Sequence, residues 1–344
     1  MISSLATPAS AFAGGDGSAD DPYQISNVYE LQAMSNGLDA HYVLINDINA
    51  YETINWDDGA GFEPIGDRES PFNGVFNGQN YKITGLYVSF GDGLFGTIGQ
   101  SALIKNIRLI GIHIWNGSSA LAGRNDGTID NAYVTGGIGF DSLSGLTNAA
   151  GFVYTNSGVI TNSYAGVCII TEESATGFVR FNSGTISNSY ATGGLSGGRS
   201  VTGFTTGGTI INSYSNAYVE TGGYDDAYEY FFFSSDNVTS SYWNAGKTTL
   251  QITGGQGRTA AEMTYPHALN TYVGWDFENV WAIDKNVNGG YPYLQVQADM
   301  MPRDDKGGVD DCDDRSDEIP EFPTIALPIA ATLGFAFFFQ RRKE

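Results

Sequence analysis

The sequence predicts an all-β protein, a right-handed parallel β-helix, and the first observation behind this is a recurring tripeptide. Its four copies are Asn131-Ala132-Tyr133, Asn162-Ser163-Tyr164, Asn188-Ser189-Tyr190 and Asn212-Ser213-Tyr214. With Tyr242 as a fifth, degenerate copy, the tyrosines lie 31, 26, 24 and 28 residues apart. A period of about 20 to 50 residues indicates a solenoid, a propeller or an array.

Among these architectures, the composition and the repeat length favour a β-helix. The 46 glycines, the many Asn, Thr and Tyr residues, and the scarcity of amphipathic helical patterns favour short strands joined by turns. A repeat of this size is too short for a βαβ unit, which takes roughly 30 or more residues. It fits one coil of three short strands.

Apolar residues that recur once per copy predict the register of the coils. The first row is Ile83, Ile104, Ile129, Ile160, Ile186, Ile210 and Val238, and the second is Leu121, Phe152, Phe178, Phe204 and Phe232. Within each copy Ile, Asn and Tyr alternate, so in a strand they would share one face. Coils stacked about 4.8 Å apart would then place the isoleucines and tyrosines in internal stacks and the asparagines in an amide ladder.

The remaining segments divide the chain into domains. Residues 1–13 resemble the end of a secretory signal peptide with an A-x-A-like cleavage site, and residues 14–297 form the β-helix domain, with repeats at about 119–244. Val28, Leu31, Met34 and Leu38 follow Asn27 at helical spacing and predict a short capping helix at the N-terminal end. Residues 245–297, rich in aromatics, are predicted to form a C-terminal cap that closes the last coil.

The end of the chain predicts a membrane anchor. Residues 298–318 are acidic and nearly without apolar side chains, which indicates a disordered linker. Residues 319–344 are an apolar run followed by basic residues, and the run is just long enough for a membrane-spanning tail helix. The basic end would stay in the cytoplasm. We therefore predict a cell-surface or extracellular protein, anchored in the membrane through its C-terminus.

Charge and cysteine content exclude some functions. The formal net charge is −22, from 16 basic and 38 acidic residues. Nucleic-acid binding needs stripes of Lys and Arg, so no nucleic-acid partner is expected. Cys168 lies in an apolar run and is predicted to be a small core residue, whereas Cys312 lies in the acidic stretch, so no pairing between them is expected.

Two insertions supply the candidate ligand site. Residues 136–148 and 220–230 lengthen two repeats at the same point of the coil, so both are predicted on one face of the solenoid. In the second insertion, tyrosine rings offer faces for sugars and acidic side chains offer oxygen ligands for Ca²⁺. The alternative is a solvated loop with some aromatic packing. The candidate residues are Tyr224, Asp225, Asp226, Tyr228, Glu229 and Tyr230.

No catalytic residue is predicted. The acids of the repeat region form no row of carboxylates from coil to coil, as glycoside hydrolysis would need, because Asp126 and Asp130 give way to serine or threonine in the next two copies. His41, His113 and His267 are dispersed, so neither a zinc site nor a catalytic triad is visible. No cofactor is expected, with Ca²⁺ left open and the metal site unknown.

The repeat resembles the GLUG-motif family of extracellular repeats. The matching residues run from Ala120 to Ile129, from Phe152 to Tyr164 and from Phe178 to Tyr190. The glycine of the family's pattern stands at Gly123, but Tyr154 and Arg180 replace it in the next two copies. Asn116 and Asn237 begin N-glycosylation sequons, as in a surface glycoprotein.

The tail resembles the PEF-type (PEF-CTERM) sorting signal of archaeal surface proteins. The matching residues are Pro320, Glu321, Phe322 and Pro323, ahead of the apolar run and Arg341-Arg342-Lys343. This resemblance implies an archaeosortase-type membrane transpeptidase that cuts the tail and leaves the protein on the envelope.

Two hypotheses follow. The first is an archaeal cell-surface protein that acts in adhesion or as a structural part of the envelope or extracellular matrix, with surface glycans or other envelope proteins as partners. The second is a secreted carbohydrate-active enzyme or polysaccharide-binding module on the same scaffold. Carboxylates converging beside the 220–230 insertion would favour an enzyme, and a flat face would favour adhesion.

Overall fold

The computed structural model describes residues 12–139, 148–221, 228–233, 237–247 and 254–302, and at 221 and 228–233 it describes the backbone. These residues all belong to one compact unit. The predicted linker beyond 302 and the predicted tail helix lie outside the described residues. Within them, no helix is both long and apolar enough to cross a membrane.

The structure consists mainly of two parallel sheets. The larger sheet contains Tyr23–Ile25, His41–Leu44, Ile48–Asn49, Val75–Asn77, Lys82–Thr84, Tyr87–Phe90, Leu103–Asn116, Thr128–Ile138, Val159–Thr161, Tyr164–Thr171, Thr185–Ser187, Tyr190–Thr192, Gly194–Gly197, Thr209–Ile211, Tyr214–Ser215, Tyr218–Thr221, Val238–Thr239, Tyr242–Asn244 and Gln256–Arg258. The smaller contains Phe95–Ile98, Ala122–Asn125, Asn148–Ala150, Val153–Asn156, Ser174–Thr176, Val179–Asn182, Ser200–Thr206 and Tyr228–Phe233. The short strands Trp281–Ala282 and Tyr293–Leu294 form an antiparallel pair.

Helical segments are few and short. The α-helices are Val28–Ala33 and Ala260–Met263, and the 3₁₀ segments are Met34–Asn36, Tyr51–Asn55, Asp57–Gly59, Ala245–Lys247, Asn288–Gly290 and Gln295–Met300. The N-terminal helix was predicted, and its cap is as expected: the Asn27 side chain accepts hydrogen bonds from the backbone N–H groups of Tyr29 and Glu30. Leu31 and Met34 bury their side chains in the core.

Each coil pairs in parallel with the next, and this confirms the parallel β-helix. One continuous row of partners runs through Ile104, Ile129, Ile160, Ile186, Ile210 and Val238, as predicted. Two assignments were wrong: Ile83 at the start of the isoleucine row and Phe232 at the end of the phenylalanine row. Ile104 pairs with Phe76, because Ile83 belongs to a segment that pairs further along the strand, at Leu109. Phe232 pairs with Thr205, and thus lies one position past the phenylalanine row.

The interior of the helix is apolar and closely stacked. The isoleucine row is fully buried, and the Phe152, Phe178 and Phe204 rings stack with centroids 4.5 and 4.9 Å apart. Fully burying a side chain of this size stabilises the fold by about 1.5–3 kcal/mol. Because every coil contributes equivalent residues, the core is a continuous column.

The recurring tripeptide marks a corner of the coil, and here the prediction was wrong. Its asparagines do not share a strand face with the isoleucines and tyrosines. They take the left-handed conformation, with φ between 47° and 53°, at Asn131, Asn162, Asn188 and Asn212, and Asn106 does the same one coil earlier at 54°. Asparagine tolerates this region better than most residues, so it turns the chain from one strand into the next.

The serine of the tripeptide stabilises the same corner. Each hydroxyl accepts a hydrogen bond from the backbone N–H at the same position one coil earlier, at 3.1–3.2 Å. Each also donates to the carbonyl two residues before it, at 2.7–2.9 Å. The row consists of Ser163, Ser189, Ser213 and Ser241. These bonds satisfy buried polar groups that the turn takes out of the strand ladder.

The predicted amide ladder at this corner is interrupted. Asn131 donates to Asn106 at 2.9 Å and Asn188 to Asn162 at 3.3 Å, but Asn162 donates to Asp130 instead of Asn131.

A second amide ladder, which the sequence did not reveal, lies at another corner. The Asn125 amide donates to Asn156 at 2.7 Å, and Asn156 donates to Asn182 at 2.8 Å. Asn125 and Asn156 are wholly inaccessible to solvent. The ladder therefore holds three successive coils in register from inside the protein.

The tyrosine row faces outward, which corrects its predicted internal position. Tyr133, Tyr164, Tyr190, Tyr214 and Tyr242 form a cluster apart from the interior core. They are nevertheless buried, because the C-terminal segment covers them. We call residues 259–302 the strap. Its Trp281 ring lies 5.9 Å from Tyr190, and the Tyr214 hydroxyl donates to the carbonyl of Pro292 at 2.7 Å.

The strap does more than close the last coil. Gln256–Arg258 adds a strand to Tyr242–Asn244, as a cap would. The chain then runs back along the tyrosine row, and Asp299 forms two hydrogen bonds with the Arg108 guanidinium, at 2.6 and 3.0 Å. The cap therefore extends through residue 302, beyond its predicted end at 297.

Cys168 is buried, as predicted, but it is disulfide-bonded, so the expectation that it stays unpaired was wrong. Cys312, the other cysteine of the sequence, lies outside the described residues.

Replacing Asn156 by alanine tests the buried ladder. The substitution leaves the Asn125 amide and the Asn182 carbonyl oxygen without their shared partner, and we expect a loss of about 2–4 kcal/mol in the free energy of unfolding. Denaturant unfolding followed by tryptophan fluorescence measures it. Asn270→Ala removes an exposed amide and is the matched control. An equal loss in both variants would contradict the role of the ladder.

The covered tyrosines predict a loss of stability in alkali. Burial, reinforced by neighbouring tyrosines, raises the pKa of Tyr190, Tyr214 and Tyr272 well above its usual value. Their contribution is therefore complete below about pH 10 and declines above it, because the unfolded chain releases protons that the folded chain retains. Unfolding measured from pH 8 to 11 should show this decline. Tyr214→Phe should make it shallower, and Tyr265→Phe, at an exposed ring, should not.

Candidate functional site

The two insertions leave the coil at the same corner, as predicted. The first lies between Ile138 and Asn148, and its flanking strands pair with the residues on either side of the 171–174 turn. The second lies between Thr221 and Tyr228, and its flanks pair with either side of the 197–200 turn. These two turns are themselves equivalent in neighbouring coils. Both insertions therefore emerge on one edge of the solenoid.

Three of the six residues predicted to bind a ligand lie within the described part of the chain. Tyr224, Asp225 and Asp226 lie outside the described residues. Tyr228, Glu229 and Tyr230 are not in a loop but begin the strand Tyr228–Phe233, where they pair with Ser200, Val201 and Thr202. The proposed sugar and Ca²⁺ contacts at this insertion stay predictions.

Of the other predicted sites, the structure describes the two sequon asparagines. Asn116 is half-buried at the end of the strand Leu103–Asn116, and Asn237 is exposed just before Val238–Thr239. Their glycosylation stays a prediction. Pro320, Glu321, Phe322 and Pro323 lie outside the described residues.

The smaller sheet carries a second, unpredicted candidate site on its outer face. Thr97, Arg124, Thr155 and Phe181 occupy one register position in four successive coils. Their side chains follow one another at the coil spacing of about 4.8 Å. Tyr154 and Arg180 stand one residue earlier in their strands. We call Arg124, Tyr154, Thr155, Arg180 and Phe181 the arginine–aromatic face.

Arg180 and the two aromatic rings form one stacked group. The Arg180 guanidinium carbon lies 4.9 Å from the centre of the Phe181 ring and 5.7 Å from that of Tyr154. The two rings meet edge to face at 5.6 Å. Phe181 is half exposed. Stacking on aromatic faces fixes the plane of a guanidinium and leaves its hydrogen-bonding edge available.

Arg124 lies in a cleft at one end of this face. The cleft has a volume of about 420 Å³, and polar side chains of Arg68, Asn73, Gln100 and Asp126 also line it. Arg124 donates from Nε to Asp126 at 2.7 Å and from Nη2 to Ser157 at 3.4 Å. A guanidinium has five N–H groups, so several stay available for a ligand. Arg68 is exposed and lines the same cleft.

The chemistry of this face is that of binding. Guanidinium and amide groups recognise carboxylates and hydroxyls, and exposed rings recognise the apolar faces of sugars. In the part of the chain that the structure describes, no three metal-ligating side chains converge. His113 packs edge to face on Tyr87, and burial lowers its pKa to about 4, so its imidazole is neutral at pH 7.

A signal for this face was present in the sequence. Tyr154 and Arg180 stand at the position of Gly123 in the next two copies of the repeat. At an outward position, replacing glycine by a large side chain adds contact surface without disturbing the core. These two replacements of glycine, and not the two insertions, were the sequence signal for the arginine–aromatic face.

A comparison with known protein families finds a match in the tail. Residues 319–343 match the PEF-CTERM archaeal protein sorting domain. The chain carries an archaeal sorting signal.

Two curated relatives match parts of the chain. A provisionally named Gly-rich membrane protein of Evansella cellulosilytica is 38% identical over 136 residues, which are 36% of this chain and 16% of that protein. Halomucin of Haloquadratum walsbyi is 32% identical over 169 residues, which are 44% of this chain and 2% of that protein. The chain thus spans less than a fifth of either relative. Together with the sorting signal, these matches identify a cell-surface protein.

One solved structure shares the fold. A crystal structure from Bacteroides ovatus, provisionally named an immunoglobulin A1 protease, superposes with a TM-score of 0.60 at 18% identity, covering 83% of this chain and 96% of that one. At this identity the likeness concerns the fold alone.

Proposed function

We propose that this protein is a non-enzymatic component of the archaeal cell surface. Its β-helix, with GLUG-type repeats, acts in adhesion or as a structural part of the envelope or matrix. An archaeosortase-type enzyme processes its tail and leaves it anchored to the membrane. The sorting signal at residues 319–343 is the observation that carries this proposal.

The scaffold suits a structural role at the surface. Internal amide and serine ladders hold the coils of the repeat region in register, and the strap ties the last coils back to Arg108. A column of this kind keeps its outer faces rigid, and rigid faces bind partners with little loss of conformational entropy. Acidic residues outnumber basic ones by 38 to 16, which keeps such a surface soluble.

A second candidate function is polysaccharide binding, with or without catalysis. The arginine–aromatic face favours binding, because it combines a half-exposed ring with guanidinium groups. Of the carboxylates beside it, Asp126 is already paired with Arg124 at 2.7 Å, and Asp92 accepts a hydrogen bond from Ser118. Hydrolysis of a glycosidic bond needs two carboxyl groups about 5–9.5 Å apart. Binding without hydrolysis is therefore our second proposal.

The anchor is tested by the mass of the mature C-terminus. We expect the chain isolated from archaeal envelopes to lack Arg341, Arg342 and Lys343, because processing removes the tail. The same spectra report any glycan on Asn116 or Asn237.

The matched control replaces Pro320, Glu321 and Phe322 by alanine, leaving the apolar run and the basic end unchanged. This variant should keep the full tail. An intact tail on the unaltered protein at the cell surface would contradict processing.

A further inference from the structure

We propose that the arginine–aromatic face binds an acidic polysaccharide, with uronate carboxylates on Arg180 and in the Arg124 cleft and a sugar ring on Phe181. The inference rests on the proposed surface location and adds the class of ligand. It is independent of the 220–230 insertion.

The state of Arg180 points to an anionic ligand. The chain has more than two acidic residues for each basic one, yet no carboxylate of the described residues lies within 4 Å of Arg180. Its Nε is buried without a hydrogen-bond partner. A guanidinium without a carboxylate partner in the protein can take one from a ligand, whose carboxylate accepts two parallel N–H bonds from its accessible edge.

The position of Phe181 points to a sugar. Half of its surface is exposed, although a ring of this size is normally buried. The Arg180 guanidinium lies over one face of the ring, and the Tyr154 ring meets it edge to face. A fixed ring offers a flat apolar surface of the size of a pyranose. A flexible acidic peptide has no matching rigid face.

The spacing of the face fits a repeating ligand. Arg124 and Phe181 occupy the same register position two coils apart, which places them about 10 Å apart along the solenoid. The coil spacing is close to the length of one sugar unit in an extended polysaccharide. Successive units can therefore meet the Arg124 cleft, which Arg68 also lines, then Thr155 and Phe181.

Isothermal titration calorimetry with the full-length chain tests this proposal. The probes are oligogalacturonate, the same oligosaccharide with its carboxyls reduced to alcohols, and poly-glutamate. We expect oligogalacturonate to bind, and the reduced oligosaccharide and poly-glutamate to bind at least about tenfold more weakly, because each lacks one of the two recognised features. Added salt should weaken the binding.

The variants locate the site. Arg180→Gln and Phe181→Ala should each weaken oligogalacturonate binding by about tenfold. Arg199→Gln makes the same charge change at an exposed turn and should bind like the unaltered chain. Thermal unfolding of each variant checks that a loss of binding is not a loss of fold.

Three results would overturn the proposal: no binding of oligogalacturonate, equal binding of the reduced sugar or of poly-glutamate, or equal losses in the Arg180 and Arg199 variants. None of these results bears on the processing of the tail. The surface location is tested separately, by the mass of the mature C-terminus.

Discussion

The structure depends on the register between neighbouring coils. Parallel strands alone fix this register weakly, because sliding one coil along another preserves most backbone hydrogen bonds. Side-chain ladders remove that freedom. The Asn125–Asn156–Asn182 amides and the serine hydroxyls can reach their partners in only one alignment, and a slip of one residue would leave buried polar groups unsatisfied. The isoleucine and phenylalanine stacks then follow from that alignment.

The strap solves a problem that the repeat creates. Five successive coils each direct a tyrosine outward, so a row of five rings would otherwise meet solvent. A long exposed apolar stripe invites association with other chains. The strap covers the row with Trp275, Trp281 and Tyr291, and gives the Tyr214 hydroxyl partners at both Pro292 and Asn288. The repeats and the segment after them are therefore one folding unit.

The sequence predicted the period, the parallel pairing and the central part of the register, because those depend on which residues recur. It did not predict the direction of side chains at the corners. The alternation of Ile, Asn and Tyr is the same for a straight strand and for a strand broken by a left-handed asparagine, and only the backbone angles at Asn162 or Asn188 distinguish them. For that reason the sequence predicts the tyrosines inside the coil, and the structure places them outside.

The site was harder to predict for a related physical reason. In a solenoid, recurring residues build the scaffold, and a binding face needs residues that differ from coil to coil so that one stretch is distinct. One register position holds Arg124, Thr155 and Phe181, which are chemically unlike one another. A search for recurring residues therefore does not detect this position. Their meaning comes from neighbours that the sequence does not show, since Arg180 lies over both Tyr154 and Phe181. In this fold, positions where the repeat breaks on an outward face are where specificity can develop without cost to the core.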